Sequence, residues 1–150
     1  MTSGIKIISE NRKARFNYEI LERVEAGIVL KGSEVKSLRE GKAQLVDSYA
    51  GFIKGELWLL SAHIAKYPAA NQFNHEETRE RKLLMHRREL DKLVSRLQEK
   101  GLSLVPLKLY FKKGRVKVEL GLGRGKKIYD KRDTKKKRES EREISRMMKR

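Results

Sequence analysis

Apolar side chains recur with two different periods along the first 123 residues, and the switches between them mark out the elements. Residues 18–24 and 27–30 alternate in the two-residue rhythm of strands, with a tight bend expected at Ala26 and Gly27. Ser33 is placed to cap a short helix over 34–40, with Val35 and Leu38 facing inward and Gly41 ending it. A hairpin follows, 48–53 against 56–64, turning at Lys54 and Gly55. The polar stretch 66–78 is long for a loop inside a small domain, which marks it as mobile or functional. Leu90, Leu93, Val94 and Leu97 then recur at helical spacing, giving an amphipathic helix over 87–100 that stops at Gly101. The clearest hairpin comes last. Leu107, Leu109 and Phe111 alternate with Lys108, Tyr110 and Lys112, and after Lys113 and Gly114 the residues Val116, Val118, Leu120 and Leu122 alternate with Lys117 and Glu119.

Roughly six strands with two or three helices, joined mostly by short turns, do not fit a doubly wound parallel sheet. The pattern predicts a mainly β fold with flanking helices, an OB-fold-like antiparallel β-barrel. Hydrophobic and charged residues each make up 38% of the 150 residues, so a modest core must coexist with segments that stay in water. Cysteine is absent, the first residues carry no signal-peptide pattern, and no apolar run is long enough to span a bilayer. The chain reads as soluble and cytoplasmic.

Charge changes the picture more than composition does. The net charge is +17, and its placement is uneven. Residues 1–123 hold 24 basic and 15 acidic side chains, whereas 124–150 hold 13 and 5. Apolar periodicity also ends near this boundary: beyond it only Ile128, Tyr129, Ile144, Met147 and Met148 are large and apolar. So few cannot offset roughly 1–2 kcal/mol of ordering entropy per residue. The expected organisation is a folded domain over 1–123 and a basic tail over 124–150 that is disordered, or a fraying helix, until it binds its target. The run Gly121-Leu-Gly-Arg-Gly125-Lys-Lys127 lacks phosphate-loop spacing and a following Ser or Thr, so it reads as a flexible hinge into the tail.

No enzyme chemistry is visible. His63, His75 and His86 stand in no ligand pattern, and the acidic residues are mostly interleaved with basic ones, as on solvated faces. No catalytic residue, metal or cofactor is expected. Nucleic-acid features are plentiful instead. Asn11-Arg-Lys-Ala-Arg-Phe16 puts three cations beside an aromatic ring just ahead of the first strand. Arg79, Arg81, Lys82, Arg87 and Arg88 form a second cluster, and Lys108, Tyr110, Lys112, Lys113, Arg115 and Lys117 a third. Cations neutralise phosphates and rings stack on unpaired bases. A general nucleic-acid coat and a membrane-surface helix are weaker readings; the tail's apolar face is only Ile144, Met147 and Met148.

These same segments resemble the SmpB family, the bacterial partner of transfer-messenger RNA (tmRNA) in ribosome rescue. The matching stretches include Asn11-Arg-Lys-Ala-Arg-Phe16, Glu25-Ala-Gly27, Lys31-Gly-Ser-Glu-Val-Lys-Ser-Leu-Arg-Glu-Gly41, Asp47-Ser-Tyr49, Arg81-Lys-Leu-Leu-Met-His-Arg-Arg-Glu-Leu90, Val105-Pro-Leu-Lys-Leu-Tyr-Phe111 and Gly125-Lys-Lys-Ile-Tyr-Asp-Lys-Arg132. The resemblance implies a core that grips the tRNA-like end of tmRNA through Asn11, Glu25 and Leu84, with Arg12, Lys13, Arg15, Lys36, Arg81 and Lys82 as basic neighbours. It implies that the tail enters the decoding site and empty messenger channel of a stalled ribosome, against small-subunit ribosomal RNA. Lys126, Lys127, Asp130, Lys131 and Arg132 match the residues needed there, Tyr129 matches a stacking ring, and Met147 and Met148 match an apolar pair. Elongation factor Tu and alanyl-tRNA synthetase are further partners by the same resemblance, with no role for DNA or membrane.

Overall fold

The computed structural model describes residues 4–99 and 101–125. In chain order the elements are β1 (Ile5–Glu10), α1 (Arg12–Asn17), β2 (Tyr18–Ile28), α2 (Gly32–Arg39), β3 (Ala43–Gln44), β4 (Tyr49–Ile53), β5 (Glu56–Leu60), β6 (His63–Ile64), a 3-10 helix (Pro68–Phe73), β7 (Arg81–Leu84), α3 (Arg87–Leu97), β8 (Leu102–Lys112) and β9 (Arg115–Gly125). Among the described residues the fold is mainly antiparallel sheet with three α-helices, as the pattern predicts.

Seven strands run in the order β1-β8-β4-β5-β7-β2-β9, and a further pairing of β8 with β9 closes six of them into a ring. β1 lies outside that ring, along the same edge of β8 that meets β4. β3 and β6 form a separate two-stranded ribbon. Inward-facing leucines fill the ring: Leu57, Leu59, Leu83, Leu104, Leu109, Leu120 and Leu122 are nearly inaccessible, and Leu38 of α2 and Leu93 of α3 plug the same cluster. Each fully buried side chain of this size is worth about 1.5–3 kcal/mol.

A second, smaller cluster sits on the outer side. Ala14 of α1 packs on Val105 and Leu107, with Tyr18 and Ile20 partly buried beside them. Gly121 and Gly123 make room for it. A methyl group at Gly121 would lie 2.9 Å from Leu107 Cδ1, and one at Gly123 would lie 3.0 Å from Tyr18 Cβ. The glycine run is therefore part of β9, paired as far as Gly125 with Tyr18, and not the flexible hinge expected from its composition.

Several other expectations are revised. The two strands anticipated over 18–30 are one: β2 passes straight through Ala26 and Gly27, because Ala26 is buried and Gly27 lies under Leu84 of β7. The strand expected over 56–64 breaks at Ser61, whose φ of 62° turns the chain out of β5 before β6. β1, α1 and β7 were not anticipated. β1 presents Ile5 and Ile7 to solvent, so it lacks a buried alternation to betray it. α1 has only Ala14 buried, and β7 is four residues long with an arginine pointing inward. The turns at Lys54-Gly55 and Lys113-Gly114 fall where expected, all four residues having positive φ, as tight hairpins require.

Candidate nucleic-acid interface

The outer face of β2, β9 and β8 carries the third basic cluster, and its centre is acidic. Glu25 on β2 stands directly opposite Glu119 on β9, a like-charge pair that a sheet disfavours. Cations offset it. Arg23 and Lys108 pair with Glu119 at 3.4 and 3.2 Å, and Lys112 pairs with Glu25 at 3.3 Å. The Tyr110 hydroxyl donates to Glu25 Oε2 at 2.6 Å. That hydrogen bond, followed by Lys112 and Lys117, outweighs partial burial and holds the Glu25 carboxyl below its usual pKa. Burial and the neighbouring carboxylate push the Tyr110 hydroxyl the other way, so it stays a donor throughout the working pH range. The Tyr110 ring is only 4% exposed. It positions Glu25 and is not available to stack on a base, contrary to its first reading as an exposed aromatic of the basic face.

Next to this acid lies a shallow pocket of about 350 Å³ lined by Glu25, Gly27, Leu84, Met85, His86, Glu89 and Lys117. Gly27 pairs with Leu84 on one side and Lys117 on the other, so three strands converge there. Leu84 is half exposed. The pocket therefore offers a carboxylate acceptor, an apolar platform and an ammonium group within one concavity. Such a set can accept hydrogen bonds from base N–H groups or a 2′-hydroxyl while a cation meets phosphate.

Asn11 is elsewhere, and its side chain is spent on the fold. It is 4% exposed. Its amide donates to the carbonyls of Leu45 (3.1 Å) and Pro106 (2.9 Å), and its Oδ1 accepts from the Ala14 amide to cap α1. Its contribution is to fix α1 on β8, which leaves Arg12, Lys13 and Arg15 exposed. Lys13 pairs loosely with Asp47 at 3.4 Å, whereas Arg12 and Arg15 make no ion pair among the described residues. Lys36 is exposed on α2, its ammonium 5.6 Å from the Tyr67 ring centre, and Lys82 is half-buried beside Glu56 at 3.2 Å.

Arg81 is a correction. Its side chain has no exposed surface; Nε meets Glu34 Oε2 at 2.5 Å and the two terminal nitrogens donate to the carbonyls of Ala62 and Glu77. Glu34, equally buried, also receives Arg79 and the Lys31 amide. Arg81 therefore joins α2 to β7 and cannot meet a phosphate. The inward face of α2 thus carries Glu34 as well as Leu38, a polar core element that hydrophobic periodicity does not reveal. His75 continues the same polar seam through Ser33 Oγ (2.8 Å) and the Ile64 carbonyl (2.9 Å).

A family model described as SmpB protein matches residues 8–150. The chain is 60% identical over 141 residues to the SsrA-binding protein of Desulforudis audaxviator, covering 94% of this chain and 92% of that one. The chain belongs to the SmpB family. It is also 55% identical over 150 residues to the SsrA-binding protein of Thermosynechococcus vestitus, with 99% of each chain covered. Among solved structures it is similar to one described as "tmRNA-SmpB: a journey to the center of the bacterial ribosome", with a TM-score of 0.68 and 54% identity over 80% of this chain and 85% of that one.

Within this SmpB-family fold, Glu25 and Leu84 come together from strands more than fifty positions apart in sequence. Tyr110 is the residue whose role sequence reading missed; its place amid alternating lysines was the signal, but only the strand register shows its hydroxyl reaching Glu25. The tail positions Lys126, Lys127, Tyr129, Asp130, Lys131, Arg132, Met147 and Met148 lie outside the described residues. β9 includes Arg124 and Gly125, two residues beyond the boundary read at 123. No helix among the described residues is long and apolar enough to cross a membrane.

Proposed function

We propose that this chain binds the tRNA-like end of tmRNA through its outer β2–β9–β8 face and carries that RNA to stalled ribosomes in trans-translation. The observation that carries the reading is the Glu25–Leu84–Lys117 pocket, a pinned carboxylate set among cations on a chain of this family. A general polyanion coat has no use for a carboxylate held ionised at its centre, because the charge would oppose every phosphate. A base edge or 2′-hydroxyl does. Lys117, Lys112 and Lys108 flank the acid, with Arg12, Lys13, Arg15, Lys36 and Lys82 as further phosphate contacts.

The basic tail, 124–150 in the sequence reading, binds the decoding site and empty messenger channel, ordering along small-subunit ribosomal RNA where the contacts repay its entropy. The protein itself performs no chemistry: peptide transfer belongs to the ribosome, while elongation factor Tu and alanyl-tRNA synthetase act on the same RNA in the cytoplasm.

The test is a gel-shift competition with labelled tmRNA, excess bulk tRNA and physiological salt, on the wild-type chain and on Glu25→Gln and Glu25→Arg. The wild-type complex is expected to survive competition, and both variants are expected to bind less tightly, Glu25→Arg despite its added positive charge. Equal competition by tRNA, or unchanged binding by both variants, refutes specific recognition through this pocket.

A further inference from the structure

Past Leu84 the outer face of the ring changes character. On β4, β5 and β7 the residues Ala50, Leu57, Leu59, Arg81 and Leu83 are buried, so their alternates point outward. The register sets those alternates in rows: Ile53 opposite Glu56, Gly51 opposite Trp58, Trp58 opposite Lys82, and Leu84 opposite Gly27. Val29, two positions on from Gly27, joins the same rows, its amide donating to the Lys82 carbonyl at 2.9 Å.

The patch this makes is large and apolar. Val29, Ile53 and Leu84 are between 39% and 50% exposed, and Leu60 and Trp58, the chain's only tryptophan, are half-buried beside them. Gly27 and Gly51 stand on the same face and keep it shallow. Among the described residues of this face the charged side chains are Glu56 and Lys82, which pair with each other at 3.2 Å. A chain of net charge +17 thus carries one nearly neutral face across four strands. Apolar surface gathered in this way marks an interaction site, where singly scattered apolar residues would not.

We propose that this face takes a second copy of the same chain, related by a two-fold axis. The patch offers phosphate no excess of cation, since Lys82 reaches one only by leaving Glu56. The same ion pair is self-complementary: a two-fold axis brings Lys82 of one copy to Glu56 of the other and the reverse, so the charges match without a different partner. The contact is small. Four strands about 4.8 Å apart and five residues of about 3.3 Å span roughly 15 by 17 Å, short of the about 800 Å² per partner of a stable interface. Two copies of charge +17 also repel. The pair is therefore weak, populated near about 100 µM and not near about 1 µM. Leu84 also lines the Glu25 pocket, so a copy seated here excludes RNA from it, a consequence that rests on the function proposed above. Free protein covers its apolar face by pairing, and RNA binding returns it to a single copy.

Sedimentation velocity of the full chain from about 1 to about 200 µM, in about 0.15 M and about 0.5 M salt, reads the pairing, with Trp58 fluorescence on the same samples. The sedimentation coefficient is expected to rise with concentration, and the Trp58 emission to move to shorter wavelength over the same range. Higher salt should strengthen pairing by screening the like charges, the reverse of its effect on RNA binding. Ile53→Glu is expected to weaken pairing at least about tenfold, although it lowers the net charge that opposes association. Lys82→Glu alone should weaken it too, and Lys82→Glu combined with Glu56→Lys should restore it. A monomer at every concentration and salt overturns the proposal. So does pairing that Ile53→Glu leaves unchanged, or a Trp58 shift that appears only when RNA is added. Titrating tmRNA into the paired chain is expected to leave one copy per RNA, and a pair that stays together on the RNA overturns the exclusion. Pairing without any tmRNA binding overturns the function proposed above and leaves the pairing standing.

Discussion

The hydroxyl of Tyr110 on β8 donates to Oε2 of Glu25 on β2 at 2.6 Å, reaching across the intervening strand β9. Lys112 adds a bond to the same oxygen at 3.3 Å, so Oε1 is the carboxylate oxygen left without a partner among the described residues. The pair converts a surface glutamate, ordinarily free to rotate, into an acceptor of fixed direction.

Tyr110→Phe should release that acceptor while leaving the ring in place. Unfolding stability should fall by about 1 kcal/mol, below the range of about 1.5–3 kcal/mol for a bond to a charged group because Glu25 is partly exposed. The affinity for tmRNA should fall several-fold, through loss of pre-orientation rather than loss of a contact. Urea unfolding and a gel shift on the same preparation check both, and the Glu25 carboxyl followed by NMR titration should rise toward its ordinary pKa.

Arg81→Met should destabilise the fold by about 3–5 kcal/mol, since it leaves buried Glu34 short of its partner. The molecules that remain folded should bind RNA as before, which separates a structural arginine from a phosphate contact. Chemical denaturation together with affinity corrected for the folded fraction reads this out.

The same ion pair fixes a pH dependence. Burial alone would raise the Glu34 carboxyl, but hydrogen bonds from Arg79, the Lys31 amide and Arg81 outweigh it and leave its pKa lowered. An unfolded glutamate titrates near pH 4.3, so the contribution is complete above about pH 5 and is lost as pH falls through the lower folded value. Glu34→Gln should lie well below wild type in stability at pH 7, and the gap should narrow on acidification below pH 4. Urea midpoints measured across that range test the sign.

Gly121→Ala should cost about 1–3 kcal/mol by overpacking, because the new methyl meets Leu107 and Ile20 at 2.9 and 3.2 Å in a cluster that cannot open freely. Gly125→Ala, where nothing lies within 4 Å, should cost far less. Thermal unfolding of the two variants side by side distinguishes close packing from a general glycine effect.

Truncation after Gly125 should leave the fold and tmRNA binding largely intact while abolishing tagging on stalled ribosomes. Truncation after Gly123 removes the pairing of Arg124 and Gly125 with Leu102, Glu19 and Tyr18, so that variant should also lose stability. A reconstituted tagging assay run beside thermal unfolding separates the two losses.

Hydrophobic alternation and turn chemistry determined a good deal on their own: the two tight hairpins at Lys54-Gly55 and Lys113-Gly114, the stripe of α3, the mainly antiparallel class, and the excess of positive charge. These are local properties, set by residues within a few positions of one another. Family motifs further brought Glu25 and Leu84 into one reading. The tertiary structure decided what depends on distant partners. Arg81 and Lys82 are adjacent and alike in sequence, yet one is sealed against Glu34 and the other reaches the surface, because strand parity sends them to opposite faces of β7. Asn11 proved a buried cap rather than a face residue, since the carbonyls it satisfies belong to Leu45 and Pro106, far along the chain. Tyr110 became the anchor of Glu25 only once the β8–β9–β2 register was set. Charge and polarity state what a side chain offers; whether it offers it to the solvent or to the fold is fixed by long-range pairing, which no local pattern carries.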